Sequence, residues 1–352
     1  MKIYIACAQS YTGGTKTLHQ MAESVSQLGN DVYLVYYNRG QVSDSKKCLY
    51  DWCKCNVVRH IEDVHSNIMI APETMTYTLK PFKNLKKVIF WLSLDFYFWT
   101  VPYKKTIEKI RLNSYPIIAF PVAYIHLWKT NIHKKIIHKS QFKSLFHIYN
   151  CEYVRQYLVN KGVPELSMHY LCGPVEDDFC KQSKKEIIDL KENIIAYNIN
   201  QDKVVIKQLE SVLTLIKGMR DDIQLIPIEN MTHEEVCKTL VSAKVFLDLG
   251  SFPGPERIPR EAVLAYTNLL IKNNGTAANQ IDYPIHEKYK IKDIEERSIA
   301  LKAISMVDSY QDQIDDFSFL RQKVVNQRSQ FISDINDIFS NETGKIIMYC
   351  SR

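Results

Sequence analysis

The 352-residue chain is poor in the residues that break packed structure, with only 11 glycines and 12 prolines. That scarcity excludes a disordered or collagen-like chain. No apolar run reaches the ~18 residues a membrane-spanning helix needs. The best one, Pro116 to Trp128, carries two prolines and a histidine and reads as a buried strand plus turn. There is no GxGxxG, so a dinucleotide fingerprint is missing. There is no Asp-x-Asp triplet, which disfavours a metal-clamped diphosphate. There is also no CxxC. The nine cysteines are odd in number and scattered, which suits reduced thiols in a cytosol and not a disulfide frame. Their tightest group, Cys48, Cys53 and Cys55, lacks the usual zinc spacing. It reads as buried small apolar side chains, and no metal site is expected. Met1-Lys2 runs straight into Ile3-Tyr4-Ile5-Ala6, which reads as a first core strand and not as a leader.

What is present is a long, regular alternation. The length suits two domains of roughly 150 to 200 residues, and 46% apolar residues can fill two cores. Lys2–Ala8 reads as a strand and Thr15–Leu28 as an amphipathic helix, with Leu18, Met21, Ala22, Val25 and Leu28 on one face. Gly29-Asn30 closes that helix. Further strands are expected at 31–37, 67–71, 86–92, 145–149 and 167–171, with a helix over 151–160. A charged stretch, Glu176 to Glu192, reads as the crossing between domains. The alternation then restarts: strands at 194–197, 223–228, 245–248 and 269–272, and helices at 204–216 and 232–242. The second helix opens on a capping box, Thr232-His233-Glu234-Glu235. From Lys292 to about Ser340 the pattern is helical. The expected fold class is α/β, with two Rossmann-like doubly wound domains facing across a cleft. The expected domains are 1–175, binding an acceptor, 176–325, binding a donor, and a helical tail, 326–352, that could pack back on the first domain.

The net charge of +6 is uneven. Nine basic residues and one acid fall between Tyr103 and Asn150, so that stretch alone carries more positive charge than the whole chain. Lys104, Lys105, Lys109, Arg111, Lys129, Lys134, Lys135 and Lys139 interleave there with aromatics such as Trp128. Basic residues mixed with aromatics suit an anionic membrane surface. The alternative is a solvated lysine face. No nucleic-acid-binding signature accompanies the charge.

Three places at the carboxyl ends of strands are chemically unusual. Gln9 to Thr15 contains Gly13-Gly14, whose backbone amides at a helix start can approach an anion; the same pair also suits a tight turn. Asp95, in Trp91-Leu92-Ser93-Leu94-Asp95, can meet a sugar hydroxyl or cap a helix. The third place is Ser251-Phe-Pro-Gly-Pro-Glu-Arg-Ile-Pro-Arg-Glu-Ala-Val263, between a buried strand and a helix expected from Ala262. Pro253 and Pro255 stiffen the loop around Gly254. Arg257 and Arg260 carry permanent charge and can each grip a phosphate. Glu261 can accept hydrogen bonds from the cis hydroxyls of a ribose. Internal Arg–Glu pairing that merely orders the loop is the alternative.

At these residues the chain resembles GT-B fold retaining glycosyltransferases. "GGTKTLHQMAESVSQLGNDVYLV" looks like the start of that class, and "NCEYVRQYLVNKGV" like the segment before its interdomain linker. "VFLDLGSFPGPERIPREAV" and "FWLSLDFY" resemble a bacterial subgroup that builds capsular polysaccharide, exopolysaccharide or lipopolysaccharide. In the class, two glutamates eight residues apart flank the donor. The second falls on Glu261, and the first would fall on Pro253, so that half of the motif is missing and Glu256, Arg257 or Asp248 is left to hold the donor sugar. A basic residue follows the first strand of the second domain. Lys203 is the nearest here, with Asn198 beside it. The nucleotide base would lie near Pro227 to Asn230, which includes Ile228. The donor set so implied is Gly13, Gly14, Asn198, Lys203, Ile228, Gly254, Pro255, Glu256, Arg257, Arg260 and Glu261, and the reacting set is Asp95, Arg257 and Glu261.

The resemblance implies a metal-independent hexosyltransferase using a UDP-sugar donor and a lipid-linked or oligosaccharide acceptor, with retention of configuration. It implies no cofactor, and a cytoplasmic protein peripheral on the inner face of the cytoplasmic membrane. The alternative is a catalytically inactive GT-B-like scaffold within a membrane-associated polysaccharide assembly.

Overall fold

The computed structural model describes residues 1–38, 40–99, 139–175, 184–199, 203–340 and 344–346. It divides into two compact units. The first is Met1–Gly173 together with Ser329–Arg352, and the second is Pro174–Arg328.

In the first unit, β1 (Lys2–Ala8) is apolar along its length and buried on both faces, as crossover helices demand of a central parallel strand. It feeds α1 (Gly13–Gln27), which buries Leu18, Met21, Ala22 and Val25. Gly29, at φ +82°, turns the chain after the helix. β2 (Asp31–Asn38) then lies parallel to β1, with Ile3 opposite Val32. Two two-residue strands follow, β3 (Gln41–Val42) and β4 (Asn56–Val57), both on β2. β5 (Ile68–Pro72), β6 (Lys86–Trp91), α2 (Leu94–Trp99), β7 (Phe146–Tyr149), α3 (Glu152–Asn160) and β8 (Met168–Tyr170) complete this part. The strand order is β3-β2-β1-β5-β6-β7-β8. Among the described residues only the β2–β3 pair is antiparallel. The direction of winding reverses between β1 and β5.

The second unit repeats the plan. α4 (Lys184–Asp189) leads to β9 (Glu192–Asn198), α5 (Lys203–Met219), β10 (Gln224–Ile228), α6 (His233–Ser242) and β11 (Ala243–Asp248). α7 (Arg257–Leu264), β12 (Asn268–Lys272) and β13 (Lys290–Ile291) follow. Its sheet runs β10-β9-β11-β12-β13 and is parallel throughout. The winding reverses between β9 and β11. The capping box of α6 is present: Thr232 Oγ1 accepts from the Glu235 amide at 3.3 Å, and Glu235 accepts from the Thr232 amide at 2.7 Å.

The stretch expected to be helical from Lys292 to about Ser340 is so, divided into α8 (Glu296–Asp308), α9 (Tyr310–Gln313), α10 (Ser318–Val325) and α11 (Gln327–Phe339). Each break lets a new apolar face turn inwards. Phe317 and Leu320 enter the second unit's core, whereas Phe331, Ile335, Ile338 and Phe339 enter the first's.

Candidate functional site

Ligands of doubly wound sheets bind at the carboxyl ends of the strands where the winding reverses. In the second unit that point lies between Asn198, the last residue of β9, and Asp248, the last of β11. The two side chains meet there. Asn198 Nδ2 donates to Asp248 Oδ2 at 3.0 Å, and the Gly250 amide donates to Asp248 Oδ1 at 2.7 Å. Burial pushes the Asp248 carboxyl up to about 6, against the pull of those two donors. Phe246 and Leu247 before it are buried, so the strand fixes the carboxylate rigidly.

The loop after β11 is clamped from one side. Phe252 donates its amide to Asn274 Oδ1 at 2.9 Å, and Asn274 Nδ2 donates to the Gly250 carbonyl at 3.0 Å. Thr276 donates its amide to the Phe252 carbonyl and its hydroxyl to the Gly254 carbonyl, both at 2.8 Å. Gly275 between them takes φ +51°, and a Cβ there would run into the Phe252 carbonyl. Pro253, where the resemblance places the first glutamate, is buried together with Gly254.

The helix after the loop begins at Arg257, five residues before the expected start at Ala262. The reason is Pro259: in a first turn its missing N–H and fixed φ fit a helix. Arg257 and Arg260 therefore stand on the helix, and Glu261 lies in its second turn. Arg257 Nε donates to Glu261 Oε1, one turn on. Arg257 Nη2 donates to His233 Nδ1 at 2.8 Å, and His233 Nδ1 is 4.0 Å from the same glutamate oxygen. Glu261 is only 1% exposed. Arg257 is thus held by internal pairing and is not a bare phosphate clamp, because a buried carboxylate one turn away is a better partner than water. Arg260 Nε donates to the Glu256 carbonyl at 3.1 Å and its Nη1 to Gln327 Oε1 at 2.8 Å. Glu256 is the N-cap position of the helix, and its side chain makes no capping hydrogen bond. Pro255 precedes it and is half-buried.

Lys203 is exposed and opens α5. Ile228 ends β10, and Asn230, two residues on, takes φ +53°. Two residues that sequence reasoning passed over belong here. His233 joins Arg257 to α6, but its only sequence signal was a place inside a capping box. Tyr283 is fully enclosed, its ring edge-on to Phe252 at 5.6 Å, and its hydroxyl meets no partner among the described residues. The fields of Glu256, Arg260 and Asp248 all reach it. Nothing in its local sequence marks it.

The reversal point of the first unit holds a second group. α1 begins at Gly13, with Thr12 as cap: Thr12 Oγ1 accepts from the Thr15 amide at 3.2 Å. The Gly13 and Gly14 amides belong to the first turn, which has no intrahelical acceptors. A side chain on Gly14 would crowd Leu92, at 3.3 Å. At the end of β5 stands Glu73, which sequence reasoning also missed. It is buried, accepts from the Leu92 amide at 2.8 Å, and is pushed up to about 8 by burial. Asp95 lies in the first turn of α2, where Ser93 Oγ accepts from the Phe96 amide and acts as the cap. Asp95 Oδ1 accepts from the Tyr153 hydroxyl at 3.3 Å. Gly13, Gly14 and Asp95 belong to the first unit, and the other expected donor residues to the second. Lys104, Lys105, Lys109, Arg111, Trp128, Lys129, Lys134 and Lys135 lie outside the described residues, and Lys139 opens a 3-10 helix, Lys139–Ser144.

No protein-family model matches the chain, and no curated protein matches it. Solved structures do. The chain is similar to HepE of Anabaena in complex with UDP, at TM-score 0.57 and 11% identity, over 96% of this chain and 98% of that one. It is similar to WaaG, a glycosyltransferase involved in lipopolysaccharide biosynthesis, at TM-score 0.55 and 11% identity, over 97% and 100%. It is also similar to TarM of S. aureus, crystallised with fondaparinux, α-GlcNAc-glycerol and UDP, at TM-score 0.53 and 12% identity, over 83% of this chain. The chain spans only 57% of the TarM chain's length. At these identities the likeness is one of fold: the chain carries two Rossmann-like domains of the GT-B architecture.

Proposed function

We propose that the protein is a glycosyltransferase that moves a hexose or related sugar from a UDP-sugar to a glycan acceptor in bacterial surface polysaccharide synthesis, with retention. The observation that carries this reading is the second unit's reversal point. There Asn198 and Asp248 close the strands, a clamped loop follows, and Arg257 and Glu261 stand on the next helix. The GT-B neighbours are crystallised with UDP or linked to polysaccharide synthesis, which supports the same reading.

In this reading the donor exchanges Arg257's partners. The guanidinium leaves Glu261 for the diphosphate, and the uncovered carboxylate takes the ribose hydroxyls. Asp248 and Asn198 face the donor sugar in place of the missing glutamate, and Ile228 to Asn230 lie along the base. Departure of the diphosphate concentrates negative charge, which Arg257, Arg260 and Lys203 neutralise. Asp95 meets the acceptor. The acceptor is lipid-linked or an oligosaccharide, and the basic 103–150 stretch holds the protein to the anionic inner face of the membrane.

The test is a panel of sugar nucleotides scored by thermal stability and by product. A donor at about 100 times its Kd adds ~2.7 kcal/mol. Arg257→Ala lowers turnover on the order of 100-fold, and Glu261→Gln abolishes ribose-dependent stabilisation, both without unfolding. Normal turnover in both variants removes the donor site from this unit. The internal Arg257–Glu261 pair favours one other reading, an inactive GT-B scaffold. A chain that neither forms product nor gains stability from any sugar nucleotide selects it. Membrane association is read by pelleting with anionic vesicles at low salt and release at high salt; indifference to lipid charge assigns the lysines to solubility.

A further inference from the structure

Between β3 and β4 the chain runs from Ser43 to Cys55 without helix or strand. A stretch of that length inside a compact unit calls for something to order it. Its apolar anchors are few, with Leu49 and Tyr50 only partly buried against the core. What it does carry is sulfur. Cys53 and Cys55 are buried and Cys48 is half-buried.

From the neighbouring helix α1, Glu23 reaches the same place. One ligand atom each of Glu23, Cys53 and Cys55 lie within 4.8 Å of one another. Cys48 adjoins them: its thiol donates to the Cys55 carbonyl at 3.1 Å. The carboxylate is aimed. Glu23 Oε2 accepts from the Lys54 amide at 2.7 Å, and Oε1 accepts from Gln27 Nε2 at 3.3 Å. Among the described residues Glu23 has no ion-pair partner, and the nearby Lys54 ammonium donates to the Asp51 carbonyl at 2.6 Å.

Two thiols and a carboxylate thus share a partly buried spot, with the Cys48 thiol beside them. Thiolate and carboxylate ligands gathered in this way bind a divalent cation with release of their protons. Sulfur-rich donor sets favour zinc, with Zn–S bonds of about 2.3 Å. A tetrahedron of that size separates its sulfurs by roughly 3.8 Å, so Glu23, Cys53 and Cys55 are within reach of one ion and Cys48 turns in to complete the set.

We propose that Glu23, Cys48, Cys53 and Cys55 form a structural zinc site that pins the Ser43–Cys55 segment to α1. The spacing of the cysteines hides the site because one ligand comes from a helix far earlier in the chain.

A thiolate-specific readout is needed, because His169, Asp334 and Asp337 also group within 4.8 Å and hold nitrogen and oxygen ligands only. The full-length reduced chain is stripped with a chelator and titrated with Co2+. One equivalent is expected to give the near-ultraviolet sulfur-to-cobalt charge-transfer band and the strong visible bands of a tetrahedral ion. Equimolar Zn2+ then abolishes both bands and shields three thiols from a thiol reagent. Cys53→Ser loses the bands and at least tenfold in Zn2+ affinity, Glu23→Gln weakens them, and Asp334→Asn leaves them unchanged. The proposal fails if excess Co2+ gives no charge-transfer band, if the bands survive in Cys53→Ser, or if Asp334→Asn removes them. Should Cys53→Ser not fold, the half-exposed Cys48→Ser and thiol shielding in the unaltered chain decide.

Discussion

Glu73 shows how far one buried side chain can set a pH profile. Its carboxyl is enclosed at the end of β5 and titrates at about 8, against an ordinary value of 4.5. The folded chain therefore keeps a proton that the unfolded chain gives up. In the window from about 4.5 to about 8, stability falls as pH rises, by roughly 1.4 kcal/mol per pH unit for this group. Glu73→Gln keeps the shape of the neutral acid and cannot ionise. Its stability relative to the parent should rise by roughly 3 to 5 kcal/mol between pH 5 and 8 and then level off. Denaturant melts of the pair at several pH values measure this directly, since other groups cancel in the difference. A flat difference would mean that Glu73 is solvated in the folded chain. No sequence rule finds such a residue. Glu73 follows an apolar strand as Asp95 does, and only the packing around it separates them.

Elements were more legible than residues, for a physical reason. Parallel strands buried on both faces leave continuous apolar runs, and amphipathic helices leave 3.6-residue stripes, so both can be read locally. That reading found β1, α1, β9 and α6 to within a residue or two. It misplaced the start of α7 because Pro259 and two charged residues look like loop when their first-turn position is unknown. It read the stretch of α8 to α11 as helical without placing the breaks, which follow from which core each face meets. The clamp on the loop after β11 was illegible too, since its partners Asn274 and Thr276 come from beyond the next strand. That clamp yields a prediction. Gly275→Ala forces a left-handed alanine against the Phe252 carbonyl. The expected cost is about 3 kcal/mol, with weaker stabilisation by UDP-sugar because the Gly250–Glu256 loop loosens. Unchanged melting together with unchanged nucleotide response would show that the clamp follows the loop and does not shape it.

At the scale of the molecule, the same plan is used twice, and the chain's last described helix belongs to the unit where the chain began. Phe331, Ile335, Ile338, Phe339 and Ile346 are all buried in the first unit's core. Asn30, at the turn between α1 and β2, donates from Nδ2 to the Phe339 carbonyl at 3.2 Å and to the Val25 carbonyl at 3.3 Å. Burial of a large apolar side chain contributes about 1.5 to 3 kcal/mol. Five of them approach the ~5 to 15 kcal/mol that holds a whole domain together, even allowing that such sums are upper bounds. A chain ending at Arg328 should therefore lose the first unit and keep the second, whose core cluster contains none of these residues. Hydrogen exchange resolved by segment reads this out. Amides of β1, β2 and β5 should exchange as in an unfolded chain, while those of β9, β11 and β12 keep their protection. Retained protection in β1 and β2 would show that the first sheet closes its core without the returning helix. Loss in β9 and β11 as well would show that the second unit does not fold by itself.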